Sequence, residues 1–191
     1  MTKTYGPNKT IYSRTTRFLA AAACAITVAL SGCAPRSESI IASRPPATLA
    51  QLSRLEKRMN ELIGKLKDKD SYVQAETATL LGELKIDYAV PALIEALADR
   101  NPHVQGCAAS ALGQIARANP RNDEVVKAVP ALIKTLKDGF ELVRAKAANA
   151  LGAIGDPRAL PDLRKLSESD PDEYARASAS KAIEAITKKQ R

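Results

Sequence analysis

Tryptophan is missing from this chain of 191 residues, and phenylalanine occurs only twice. Aromatic residues make up 4% of it, which argues against a sandwich or barrel, whose strands lean on aromatic and β-branched side chains. Histidine occurs once, at His103, and the cysteines are Cys24, Cys33 and Cys107. That inventory excludes a His/Cys metal cluster, and no Cys-x-x-Cys, His-x-x-x-His or Gly-rich phosphate loop appears. No metal and no non-covalent cofactor is expected. What is abundant is alanine, in a composition 45% hydrophobic and 26% charged. Such a chain has enough apolar matter for a core and suits helices packed closely through small side chains.

Acidic residues are absent from the first 32 positions, where Lys3, Lys9, Arg14 and Arg17 stand. They precede "FLAAAACAITVAL", residues 18–30, a run without charge. Thirteen helical residues rise about 20 Å, short of a bilayer core of about 30 Å. A basic start, a short apolar run and small residues after it describe an export signal. Its end, Leu30-Ser31-Gly32-Cys33, resembles the lipobox of bacterial lipoproteins. The resemblance implies cleavage before Cys33, a diacylglyceryl group on its sulfur and an acylated amine. It therefore implies a protein held in the bacterial cell envelope by covalent lipid. Ala34 after the cysteine implies the outer membrane in a cell that has one. A chance cysteine behind an ordinary signal, or an uncleaved anchor, is the alternative reading.

The chain then divides into a signal peptide (1–32), a lipidated cysteine with a Pro- and Ser-rich tether (33–47) and a folded domain (48–191). Loss of the signal changes the charge argument. The whole chain has 29 Lys and Arg against 21 Asp and Glu, formally +8. Removing four basic residues leaves 25 against 21, about +4, so a nucleic-acid partner is not indicated. Cys107 is left alone in the mature domain, and no intramolecular disulfide can form.

From Gln51 onward the apolar residues fall on helical spacing, and two kinds of helix alternate. "AVPALIEALAD" (89–99) returns as "AVPALIKTLKD" (128–138), with a weaker copy, "ALPDLRKLSES", from Ala159. Pro91, Pro130 and Pro161 sit where a helix begins, a position at which a missing N–H costs nothing. The second kind is "YVQAETATLLGEL" (72–84), "HVQGCAASALGQI" (103–115), "LVRAKAANALGAI" (142–154) and "YARASASKAIEAI" (174–186). The pattern predicts four helix pairs, 48–85, 89–117, 128–155 and 159–187, with a loop inserted at 118–127.

These openings, the "ALG" triplets at 111–113 and 150–152 and "IGDPRALPDL" at 154–163 resemble the HEAT repeat, in its short PBS-lyase HEAT-like form. The resemblance implies an all-α fold, a short α-solenoid (alpha-alpha superhelix) of about four HEAT-like pairs. One helix pair cannot bury its own apolar face, whereas stacked pairs share a continuous core. By helical wheel, Val104, Ala108, Ala111, Leu112 and Ile115 face the first helix of their own unit. Gly82, Gly113 and Gly152, with Ala75, Ala78, Gly106, Ala109, Ala145 and Ala148, form a small-residue stripe for packing repeat on repeat. Glu184 replaces the glycine in the last unit, as befits a terminal cap. Leu49, Leu52, Leu55, Met59, Leu62 and Leu66 extend the first helix backwards, as a capping helix or a dimer seam; monomer and homodimer both stay open.

Catalytic chemistry finds little footing. His103 aligns with Tyr72, Leu142 and Tyr174 and so holds a repeat position. Asp138 with Arg144, and Asp170 with Arg176, match the Asp and Arg that HEAT-like repeats pair between turn and helix, with Gln74 and Gln105 in place of Arg earlier. The repeat's namesake enzymes attach bilins, an activity that an exported lipoprotein has no occasion to perform. A surface remains, which the resemblance puts on the concave side: Tyr72, Glu76, Thr79 and Glu83; His103, Cys107, Ser110 and Gln114; Leu142, Lys146 and Asn149; Tyr174, Ser178 and Lys181. It runs from acidic in the first unit to basic in the last, with tyrosines available as anchors. The expected role is a non-catalytic scaffold or adaptor that binds a protein partner in the envelope. A bilin-lyase-like enzyme or subunit, and a spacer or dimerisation module, are the alternatives.

Overall fold

The structure, a computed structural model, describes residues 49–120 and 122–190. The signal segment and Cys33 lie outside the described residues. Those described form helices joined by turns, with no strand among them. In order they are α1 (Leu49–Gly64), α2 (Ser71–Glu83), α3 (Val90–Ala96), α4 (Pro102–Ala118), α5 (Asp123–Val126), α6 (Val129–Thr135), α7 (Glu141–Ile154), α8 (Leu160–Ser169) and α9 (Glu173–Lys189). A 3₁₀ turn follows α1 at Lys65–Lys67, and others lead into α3 at Asp87–Ala89 and into α8 at Pro157–Ala159.

Of the second helices, α2, α4, α7 and α9, all but α7 start at a side-chain cap, and α7 has Phe140 at that position, which supplies none. Asp70 and Asn101 accept the N–H of Tyr72 and His103 at 2.9 Å, and Asp172 accepts that of Ala175 at 2.8 Å. Each of these helix starts is set up by an aspartate two residues before the N-cap position. Asp68, Asp99 and Asp170 accept the N–H of Asp70, Asn101 and Asp172, and Asp138 does the same for Phe140. These carboxylates tighten the turn and satisfy donors that the helix start would leave bare. The first helices are entered with Pro91, Pro130 and Pro161 in their first two positions. The segment 118–127, read from sequence as a loop, contains the one-turn helix α5. Asn122 caps it, and Val125 is only 2% exposed.

Second helices pack on one another in sequence, α2 on α4, α4 on α7 and α7 on α9, and each carries its first helix alongside. Leu81, Leu93, Leu112, Ile115, Leu132, Leu151, Leu163 and Ile186 are fully buried between the layers. Full burial of each such side chain contributes roughly 1.5–3 kcal/mol, which makes this shared core the main source of stability. Between repeats the spacing is closer. A Cβ placed on Gly82, Gly113 or Gly152 would come within 2.6, 3.2 or 2.8 Å of the Cα of Ala111, Ala150 or Ala182. The glycines therefore let backbones nearly touch, as the stripe suggested. Ala111 differs from expectation. It lies under Gly82 of the preceding second helix, a contact the wheel did not assign to it, because its position faces back along the stack.

Candidate protein-binding face

Each second helix presents its first-turn residue to solvent, since the cap turn before it leads away. Tyr72 is 70% exposed, Leu142 50% and Tyr174 56%, and His103 is exposed as well. One such residue per repeat makes a ladder of four. Beside it runs a polar column, with Thr79 and Lys181 exposed and Ser110 and Asn149 half-buried. Glu83 is exposed and Gln114 half-buried; the Gln114 Oε1 atom is itself buried with no hydrogen-bond partner.

One column departs from the expected surface. Glu76 is exposed and Lys146 half-buried, but Cys107 is 7% and Ser178 only 3% exposed. Ser178 must therefore be withdrawn from the binding face. The column leans on the preceding second helix, as Lys146 shows by laying its side chain over Gly106, with Cδ 3.1 Å from where a Cβ would be. A glycine stands under the long lysine, while Ala75 and Ala145 hold the same place before the smaller Cys107 and Ser178. Glu76 escapes because no second helix precedes it.

Charges concentrate at the turn edge instead. Arg144 donates from Nε to Asp170 Oδ2 at 2.7 Å and from Nη2 to Oδ1 at 2.8 Å, while Nη1 reaches the Asp138 carbonyl at 2.9 Å. The expected pairing of Arg144 with Asp138 inside one unit thus runs through the Asp138 carbonyl, and the carboxylate that Arg144 holds is Asp170 of the next turn. The guanidinium is long enough to hold its own turn by the carbonyl and the next turn by the carboxylate, which fits its planar fork. Arg176 likewise grips the Asp170 and Pro171 carbonyls, at 2.7 and 3.0 Å, and Gln105 the Asp99 carbonyl at 2.9 Å. The hydrogen bonds from Arg144 hold the Asp170 carboxyl below the usual carboxylate range, against the opposing effect of burial. The same pairing raises Arg144.

A cleft of about 300 Å³ at this edge is lined by Lys137, Asp138, Arg144, Asp162 and Asp170. Within it Arg144 pairs with Asp170 and Lys137 with Asp162, the latter at 3.4 Å, while the Asp138 carboxylate accepts the Phe140 N–H and Lys165 also lines the cleft. Between the first two units the equivalent cleft has Gln74 in the arginine's place and a Lys67–Glu95 pair at 2.7 Å. These edges read as locks between repeats. Among the described residues no group of three or more His, Cys, Asp or Glu is placed to hold a metal ion. Among them, too, no helix is long and apolar enough to cross a membrane. Leu80, Leu84 and Tyr88, at 38%, 56% and 62% exposure, were not singled out from sequence. The signal was present for Leu80, which aligns with Ala111, Ala150 and Ala182.

A family model described as HEAT repeats matches residues 59–128 and 116–184. No curated protein matches the chain. Among solved structures, an engineered protein of the Northeast Structural Genomics Consortium is 27% identical, with a TM-score of 0.57. That match covers 68% of this chain and 62% of the other, so the chain spans about three fifths of that protein's length. The complex of CpcE and CpcF of phycocyanin lyase from Nostoc sp. is 22% identical over 70% of this chain and 85% of that one, with a TM-score of 0.58. A designed armadillo repeat protein in complex with the peptide (KR)4 is 23% identical over 72% and 68%, with a TM-score of 0.57. The last two likenesses show the fold.

Proposed function

The chain belongs to the HEAT-repeat family, and on that premise we propose that it is a lipid-anchored envelope protein that binds a protein partner, without catalysis, through its second-helix face. The observation that carries this reading is the exposed ladder Tyr72, His103, Leu142 and Tyr174, one side chain per repeat. Regular spacing along a stack of helices suits an extended segment of another protein, read repeat by repeat. The neighbour solved with (KR)4 supports the idea that such a stack holds a peptide. Tyrosine and leucine supply apolar contact, and the flanking columns supply direction, with Glu76 and Glu83 at one end and Lys146 and Lys181 at the other.

The anchor rests on Leu30-Ser31-Gly32-Cys33. Acyl chains contribute about 0.8 kcal/mol per buried methylene, and two or more of them hold a protein at a membrane where one is marginal. Lipid attachment and partner binding are separable, so each has its own test. Cys33→Ser removes the thiol that accepts the diacylglyceryl group; the variant is expected to lose its lipid and leave the membrane fraction. Recovery at the membrane with unchanged mature mass ends the lipoprotein reading. Lys146→Glu with Lys181→Glu is expected to weaken capture of the partner identified by crosslinking in intact cells, with helical content unchanged. The loss shrinks as salt rises, as for steering charges. Undiminished capture moves the site off this face.

A further inference from the structure

The two ends of the stack treat its packing rule in opposite ways. At every internal interface a glycine of one second helix lies over an alanine of the next. At the C-terminal end, α9 turns outward Ala177, Ser180, Glu184 and Lys188, all exposed, with Glu184 in the glycine's position. A small and charged face is what a finished end requires. At the N-terminal end, α2 puts Leu80 in the alanine's position, 38% exposed, with Leu84 one turn on at 56%. In the same unit α1 leaves Leu55 54% exposed and Leu52 and Met59 half-buried. An end written in leucine is not finished with water.

Another HEAT pair does not fit there. The internal rungs bring a glycine's missing Cβ within 3.2 Å or less of the alanine backbone, and the side chain of Leu80 fills that space. The occupant must stand off at ordinary helix spacing and bring apolar side chains of its own. Charge says more. α2 contains Glu76 and Glu83 and no basic residue, and both are exposed. α1 contains Arg54, Lys57 and Arg58 against Glu56 and Glu61, again all exposed, with the three basic residues gathered at 54–58, and Arg58 lies one turn from Leu55 on the same side of the helix. None of these side chains makes an ion pair within the described residues.

We propose that this end binds a second copy of the chain, α1 of each copy lying on α2 of the other about a two-fold axis. Leucine then meets leucine, and the basic stretch 54–58 of α1 meets the acidic face of α2, twice over. The contact shares Glu76 and Glu83 with the columns beside the ladder but uses none of Tyr72, His103, Leu142 and Tyr174, and Leu80→Ser with Leu84→Ser leaves the ladder untouched, so either can fail alone.

Sedimentation equilibrium of the full chain in a density-matched nonionic detergent tests it. The expected result is a mass near two chains that dissociates more readily as salt rises. Leu80→Ser with Leu84→Ser shifts the dimer midpoint upward in concentration, by roughly tenfold or more for each leucine that the contact buries. Helical content is unchanged, because both residues are solvent-exposed in one copy. Glu83→Lys and Arg58→Glu each weaken the dimer, and the two together restore it, which a purely structural role for either residue would not produce. Lys146→Glu with Lys181→Glu leaves the mass alone. A single-chain mass at every loading concentration overturns the proposal. So does a dimer indifferent to the leucine changes, which another surface or another segment would then hold.

Discussion

Asp170→Asn keeps the shape of the side chain and removes its charge. The carboxylate accepts two hydrogen bonds from Arg144, at 2.7 and 2.8 Å, and one from the Asp172 backbone N–H at 2.9 Å. The Arg144 and Asp170 side chains are only 11% and 4% exposed. An amide keeps the backbone bond but accepts only one bond from the guanidinium, and its own NH₂ is turned toward a cation. Breaking a buried pair from one side costs roughly 3–5 kcal/mol, because the remaining charge stays buried without compensation. The bond from Arg144 to the Asp138 carbonyl survives, which puts the expectation at the lower end, about 3 kcal/mol. For a domain of this size that is a fall in Tm of roughly 6–12 °C. Replacing both partners, as Arg144→Met with Asp170→Leu, is expected to cost much less, since no charge is then orphaned.

The pH dependence supplies an independent check. The Asp170 carboxyl is held low by Arg144, so the folded state gives up this proton more readily than the unfolded chain does. Its contribution is complete above the unfolded value, about 4, and is lost as pH falls through the depressed folded value. The stability gap between wild type and Asp170→Asn should therefore close in acid. Urea unfolding followed by far-UV circular dichroism, at pH 7 and at steps downward, measures both quantities. A cost under about 0.5 kcal/mol at pH 7, the scale of an ordinary surface change, would refute the lock between repeats. A gap that stays constant through acid would refute its electrostatic origin.

Two further substitutions test the stacking register. Gln105 holds the Asp99 carbonyl as Arg144 holds that of Asp138, but its buried Oε1 has no partner. Gln105→Arg should reproduce the grip on the next turn's aspartate, Asp138, and add about 1–2 kcal/mol of stability; an unchanged or lower Tm means the second interface is not built like the third. Gly152→Ala puts a Cβ 2.8 Å from the Ala182 Cα and should cost about 1–3 kcal/mol by forcing the helices apart. Glu184→Ala, in the same repeat position at the exposed end, should stay within about 0.5 kcal/mol, and equal effects at both positions would mean that the stripe is not the contact.

Some of this was legible in the sequence and some was not, for physical reasons. Repetition revealed the helix pairs, and recurrence of Gly82, Gly113 and Gly152 in register revealed close packing, because backbone proximity leaves a mark in residue size. A wheel assigns a side chain to a face but not to one of two neighbours on that face. So Ala111 was given to its own first helix and its contact with the preceding second helix went unassigned, and Ser178 was put on the surface when α7 buries it. Arg144 was paired with the nearer aspartate in sequence, whereas its reach lets it join two turns. The α1 leucines were legible as a cap or a dimer seam, but Leu80 and Leu84 escaped notice, because an apolar residue in a helix reads as core until its neighbour is known to be missing. Four residues at 123–126 carry too little periodicity to be told from a loop, and the burial of Val125 behind the Asn122 cap gives α5 its reason.

The central claim is that the second-helix face binds a protein partner, and site-specific photocrosslinking in intact cells tests it most directly. A photoreactive residue is placed in turn at Tyr72, His103, Leu142 and Tyr174, and for contrast at the exposed first-helix positions Glu95, Lys134 and Arg164. The account predicts one common adduct from the ladder positions and none of that mass from the first helices. A common adduct from the first-helix positions with none from the ladder would contradict it.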